Sequence, residues 1–316
     1  MPSIITRGAM SVRAFGFGAF GCTRDGTRGI FALGNNNCGV PSTTRNKYTF
    51  ASCTSTASGV AVSSAASRGG AAAGNSTRGI FAIGNTTTTR DKYTYACCTS
   101  TAAGVAASSA TVCGGNAVGN STRGIFQING GGTARNKYTY ASCTSTTCGV
   151  AAASACSSFA QGGAGTSAVG ILAVGNNATT RNKYTYASCT STAVGVGAAS
   201  AATQFGSAAG NATRGIFALG QAACAASTTR NKYTFASCTS TACGVGAASV
   251  AATRGSATGN ATRGIFALGR NNVGTPTTTR NKYTYATCAS AAATAASANS
   301  DMGAAASWTL CVNCAP

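Results

Sequence analysis

The 316-residue chain contains no histidine, no glutamate and only three aspartates, Asp25, Asp91 and Asp301. Without His, a Ser-His-Asp or Cys-His nucleophilic site is impossible. General acid–base catalysis draws mainly on His, Glu and Asp, so little remains for it. A glycosidase needs a carboxyl pair roughly 5–10 Å apart. Only Asp25 and Asp301 offer one, if the chain ends meet, and both are also ordinary turn residues. No glycine loop carries the Lys and Ser/Thr of a phosphate-binding motif. A zinc site normally takes four ligands, and without His the Cys311-x-x-Cys314 spacing stands alone. The expectation is a non-enzyme with no catalytic residue, no cofactor and no metal.

Other features are scarce. There are four prolines and one tryptophan, and no apolar run approaches the roughly twenty residues of a membrane helix. The start, MPSIITRGAM, lacks the apolar segment and cleavage site of a secretion signal, so synthesis in a reducing cytosol is expected. Only 8% of residues are charged while 44% are hydrophobic, which argues against disorder. The charge is one-sided: 23 Lys and Arg give a net +20. Such a field favours anionic partners: an acidic protein surface, a polysaccharide or nucleic acid.

What is present is a repeat. The unit TRGIFALG…TTRNKYTYASCTSTA recurs six times, with its Ile at Ile30, Ile80, Ile125, Ile171, Ile216 and Ile265, spaced by 50, 45, 46, 45 and 49 residues. A period in this range signals stacked units sharing one core. In the unit 207–249, Ser207–Asn211 is a strand of tiny residues and Arg214–Gly220 an apolar strand covered on both faces. Asn231–Ser237 alternates and is aromatic-rich, and Gly244–Ser249 reads as a weaker fourth strand. No segment has the capped period of a long helix.

Four antiparallel strands per unit make a propeller blade. The expected fold is all-β: one propeller domain over 1–316, with repeats near 27–76, 77–121, 122–167, 168–212, 213–261 and 262–302. The ends suggest a composite seventh blade. Gly303–Ser307 and Trp308–Asn313 would supply its inner strands, Ser3–Ala9 and Met10–Ala14 its outer ones (303–316 plus 1–16), with Phe15–Gly21 as the first blade's inner strand. Six blades is the alternative.

RGIFALG followed by NKYTYAS resembles the kelch repeat, in which an apolar strand ending in Gly precedes a Tyr-bearing strand. The chain departs from the kelch pattern in having a single Gly (Gly34, Gly84, Gly175, Gly220, Gly269) and no outer-strand Trp. It is closer to a degenerate kelch-like group in tailed-bacteriophage structural proteins, with a TRG-[IV]-F-[AG]-x-G strand followed by [ND]-x-[YI]-T-[YIF]-A. The likeness covers 27–286. It implies a virion structural or attachment protein (tail fibre, baseplate or capsid surface), assembled in the host cytoplasm, whose partners are other virion proteins or a host surface glycan. An extracellular adhesin or lectin of a cell is the alternative, a basic nucleic-acid-associated protein a minor one. An intracellular kelch-type adaptor is disfavoured by the lack of a second domain.

Two readings compete for the paired basic residues of the third strand: Arg45, Lys47, Arg90, Lys92, Arg135, Lys137, Arg181, Lys183, Arg230, Lys232, Arg280 and Lys282. In the first they lie over the Tyr of the neighbouring blade, since repeated residues serve repeats. In the second they form a partner-binding ring near one rim, beside the loops that vary most between copies. Cys53, Cys98, Cys143, Cys189, Cys238 and Cys288 recur at one position and read as small buried residues. Cys143 with Cys148, and Cys238 with Cys243, have the spacing to bridge a turn. The Asn-x-Ser/Thr triplets at Asn75, Asn120, Asn211 and Asn260 read as turns.

Overall fold

The computed structural model describes residues 27–35, 40–85, 87–110, 114–127, 132–147, 152–154, 162–175, 177–202, 204–222, 225–242 and 244–307. Six four-stranded antiparallel sheets form a six-bladed β-propeller, and no helix occurs among these residues. The second blade shows the plan. Ala71–Gly74 is its inner strand, followed outward by Arg78–Ala82, Arg90–Thr94 and Thr99–Thr101.

The blade count corrects the seven-bladed expectation in favour of six. Ala304–Ser307 pairs directly with Arg28–Ala32, in the register Gly29↔Ser307 to Ala32↔Ala304. It thereby fills the inner-strand position assigned to Phe15–Gly21, and no slot is left for a composite blade. The sixth blade then packs on the first, with Ile265 and Ala267 against Phe31, Leu33 and Tyr48. Residues 1–26 and 308–316, which carried the rest of that expectation, lie outside the described residues.

The outer strand also differs from expectation. It is the triplet Thr239–Thr241 and its copies, not Gly244–Ser249. The cause is a four-residue reversal after the third strand. Its Cys takes the left-handed conformation (φ 54–57° in all six copies), which non-glycine residues seldom adopt. The chain turns so tightly that Thr241 already pairs with Lys232. Gly244–Ser249 belongs instead to the connection returning to the axis.

The core lies between blades. Each interface joins Ile and Ala from one blade to Phe or Leu and Tyr from the next, as with Ala71, Ala73, Ile80 and Ala82 against Phe126, Tyr138 and Tyr140. The RG glycine is required by close approach: a Cβ at Gly79 would lie 2.8 Å from the Tyr95 hydroxyl and 3.2 Å from the Ala306 methyl. The glycine ending the apolar strand has a positive φ, and a Cβ at Gly84 would meet the Arg68 carbonyl at 2.1 Å.

Candidate functional site

The six third-strand arginines are buried, each about 1% exposed. Each reaches across one interface. Arg230 shows the arrangement: Nη2 donates to Asn281 Oδ1 at 3.2 Å and Nη1 to Ser290 Oγ at 2.7 Å, both on the next blade. Nη1 also donates to the Gly246 and Ala247 carbonyls of its own return loop. The guanidinium lies 4.5 Å from the Phe266 ring centroid. The same contacts run round the wheel and close it, Arg280 donating to Asn46 Oδ1 at 3.2 Å and to Ser55 Oγ. Each Asn is held in turn by a serine, Asn281 Nδ2 donating to Ser249 Oγ and Asn281 Oδ1 accepting from Ser249 N.

The packing reading is therefore the one the geometry supports for the arginines, with Phe as the nearer ring and Tyr the farther: Arg45 lies 4.7 Å from Phe81 and 5.9 Å from Tyr93. Burial takes Arg45, Arg90, Arg135, Arg181, Arg230 and Arg280 out of reach of a macromolecular partner. Loss of water also lowers the basicity of Arg45 and pushes Arg90, Arg181, Arg230 and Arg280 down to about 10.

Two interfaces vary the theme. Asp91 stands where the other blades have Asn and forms a fully buried ion pair with Arg45 at 2.8 Å. Where Leu172 replaces the neighbour's Phe, Gln127 replaces the usual Ala, and Arg135 Nε donates to Gln127 Oε1 at 3.0 Å. The sequence reading missed both the Asn–Ser partners and this paired exchange. The fixed spacing of Arg, Asn and Ser across copies was the available signal.

Lys47, Lys92, Lys137, Lys183, Lys232 and Lys282 are half-buried at mid-strand, each opposite the Ile of the second strand. No lysine has a carboxylate partner among the described residues. The two basic residues of each pair thus part company: the arginine is sealed in the interface and the lysine retains contact with water.

The two ends of the wheel differ. At one end the second-to-third-strand loops contain seven residues in three blades and eleven or twelve in the other three. At the opposite end every turn from inner to second strand within a blade has three residues and every turn from third to outer strand has four. The Asn-x-Ser/Thr triplets lie there as Asx turns. Asn75 Oδ1 accepts from Thr77 N and Arg78 N, and its Nδ2 donates to the Ser121 carbonyl of the next blade. The arginine that opens the second strand in five of the six units, Val169 replacing it in the fourth, also fastens blades at this end. Arg78 Nη1 donates to the Tyr140 carbonyl at 3.0 Å and to Cys143 Sγ at 3.6 Å.

The six repeated cysteines are half-buried turn residues, rather than fully buried ones, and they and Cys97 are free thiols. Cys148, Cys243, Cys311 and Cys314 lie outside the described residues. No cluster of three or more metal-ligating side chains occurs among the described residues. Nor, among them, is any helix long and apolar enough to cross a membrane.

The irregular end surrounds an axial cavity of about 100 Å³, lined by glycines and by Phe205, Arg254 and Met302. Backbone bonds run round its mouth: Gly115 N to Gly69 O, Gly69 N to Met302 O, Met302 N to Arg254 O, and Arg254 N to Phe205 O. A scaffold this tied, with variable loops on one end, is compatible with a protein-binding role. No protein-family model and no curated protein sequence matches the chain.

Proposed function

We propose that this propeller is a non-enzymatic recognition scaffold that holds a protein or host glycan on its irregular end. In the fuller form of this reading it is a kelch-like virion component of a tailed bacteriophage: a tail fibre, baseplate or capsid-surface protein, assembled in the host cytoplasm. The single observation that supports recognition is the segregation of loop variation. Loops of seven to twelve residues occupy one end, against turns of fixed length at the other. Selection for folding alone has no reason to vary one end and freeze the other. The phage assignment rests on the TRGIFALG and NKYTYAS strands and their resemblance.

The half-buried lysines fit the same role. A circumferential set of unneutralised ammonium groups attracts an anionic surface and speeds encounter. The described Asp side chains support a non-enzymatic reading, since Asp91 is committed to Arg45 and Asp301 to Arg270, each at 2.8 Å.

The test exchanges loops. The segments 221–226 and 270–279 are replaced by the short second-blade loop, and a second variant alters the uniform turns at 75–77. Purified particles or host cells are then assayed for attachment. Loss of attachment with the first variant alone is expected; equal attachment by both variants overturns the reading. Mass spectrometry of intact particles tests the virion assignment. An extracellular adhesin would instead arrive by export with oxidised cysteines, which a free-thiol count distinguishes.

A further inference from the structure

Repeat symmetry narrows the search for a site: what recurs six times serves the wheel, and a singleton outside the blade interfaces is a candidate for something else. The strongest departure is at the irregular end, between the fifth and sixth blades. Arg254 occupies the left-handed position at the axial mouth, φ 59°, where other blades carry Gly69, Gly114, Phe205 and Met302. Arg270 follows the strand-ending Gly269, where other blades carry Asn35, Asn85 and Gln221. The two are brought together because Thr253 and Arg270 exchange both backbone hydrogen bonds, at 2.9 and 2.8 Å.

Between them lies a cavity of about 150 Å³, lined by Gln221, Thr253, Arg254, Arg270, Asn271 and Asn272 among others. Its walls are fixed. Gln221–Ala222 pairs with Ala225–Ala226 in a short hairpin, and Ala226 N donates to Asn272 Oδ1 at 3.0 Å. Asn271 Oδ1 accepts from Val273 N and Thr275 N. Both carbonyl oxygens are thus engaged by backbone N–H groups, which leaves the two side-chain NH₂ groups as donors at the cavity wall.

The arginines are positioned yet unspent. Arg254 stacks over Phe205 at 4.7 Å, which fixes its plane without using its N–H groups. Arg270 gives Nη2 to the buried Asp301 at 2.8 Å, while its buried Nε has no acceptor. Asp301 Oδ2 is shared with Asn35 Nδ2. Arg68 adds a third cation to the electrostatic environment of Arg254, and Asp301 is the opposing carboxylate. Three guanidinium groups against one carboxylate leave the cluster net positive, although Asp301 Oδ1 and Thr253 Oγ1 lack partners beside the free Arg270 Nε.

We infer that the Arg254–Arg270 cavity is an oxyanion site that takes one carboxylate or one sulfate-type group. The donor set matches such a group, because a guanidinium fork and side-chain amides supply the hydrogen bonds it needs. Size agrees: whole small-molecule sites usually span about 300–1,000 Å³, so this cavity suits a single charged substituent of a larger ligand. The site deepens the recognition reading and rests on it, since it places ligand chemistry on the irregular end.

Isothermal titration of the full chain with glucuronate, sulfate and glucose tests the inference without needing the natural partner. Glucuronate, sulfate or both should bind saturably with one site per chain, and neutral glucose should not. Arg254→Gln should weaken the binding by at least about tenfold, equivalent to ~1.4 kcal/mol. Arg254→Lys should fall between. Circular dichroism checks that the variants fold. Binding by one anion alone supports the site and identifies the group it takes. The inference is overturned if neither anion saturates, if glucose binds as well, or if folded Arg254→Gln binds like the parent. Such a failure would leave the loop-exchange result standing, so the two readings fall separately.

Discussion

Arginine plays two opposed roles in this propeller. In the interfaces, six arginines are about 1% exposed, each forked onto an Asn or Asp and a Ser of the next blade. At the axial mouth, Arg254 and Arg270 each occur once, and Arg270 keeps a quarter of its side chain in water. The first group is ringed by acceptors, whereas in the second the Asp301 carboxylate beside Arg270 is the main one. A buried guanidinium is tolerable only when acceptors replace its lost water. Where acceptors are few, the same side chain stays partly solvated and available to a ligand. The charge count therefore overstates the surface field: six of the 23 Lys and Arg side chains are interior structure.

The largest effect should come from breaking the buried set. Arg230→Ala removes the fork to Asn281 and Ser290, the Phe266 contact and the bonds to the return loop. Each neutral partner stranded in this way costs about 1–3 kcal/mol, so the total should reach roughly 3–5 kcal/mol. Arg254→Gln, at a partly solvated stacked side chain, should cost under about 1 kcal/mol. Urea denaturation of the two variants side by side measures the contrast. A loss for Arg230→Ala as small as that for Arg254→Gln would mean that the interfaces do not depend on their arginines.

The repeated features were the ones open to sequence reasoning. Strand order, the antiparallel blade and the Arg–aromatic packing all follow from residues that recur six times. Ring closure was harder. Seven units of 45 residues match the chain length, but closure depends on a non-local pairing, Ala304–Ser307 on Arg28–Ala32, between small residues with little pattern. The outer strand was misplaced because TST reads as a turn. It becomes a strand only because Cys238 and its copies take positive φ, a cost that composition does not reveal. The Arg254–Arg270 cavity was invisible for the opposite reason: two singletons 16 positions apart have no period to announce them.

Alkaline pH should weaken the interfaces in a way that the axial mouth does not share. Burial raises the phenols of Tyr93, Tyr138, Tyr233, Tyr283 and others well above the ordinary value of 10.0. The unfolded chain loses these protons near pH 10 while the folded chain keeps them, so the unfolded state binds fewer protons and stability falls as pH rises beyond 10. The buried arginines act in the opposite sense, since at about 10 they release protons before their unfolded counterparts at 12.5. The raised phenols outnumber the lowered guanidiniums, so the tyrosines should decide the sign. Urea midpoints followed upward from pH 10, with tyrosinate absorbance alongside, should decrease; a rising midpoint would show that the arginines dominate.

The smallest expected change tests whether the one fully buried ion pair among the described residues matters beyond its hydrogen bonds. Asp91 accepts from Arg45 Nη2, Ser63 Oγ, Ser64 Oγ and Ser64 N, the last being the equivalent of the Ser109, Ser200 and Ser249 amides bonded to Asn elsewhere. Asp91→Asn installs the residue the other blades use, in a pocket already shaped for it. The Coulomb attraction lost is offset by the desolvation cost that a carboxylate no longer bears, and such exchanges at buried pairs are often near neutral. Asn cannot, however, accept from both Ser63 and Ser64 hydroxyls with both of its side-chain atoms, because its Nδ2 only donates. One serine must turn to accept from it, as Ser109 does from Asn136 Nδ2 at 2.9 Å. The expected cost is within about 1 kcal/mol. A loss as large as that of Arg230→Ala would mean that Asp91 supplies charge the wheel needs to hold Arg45, and that the second interface is not equivalent to the rest.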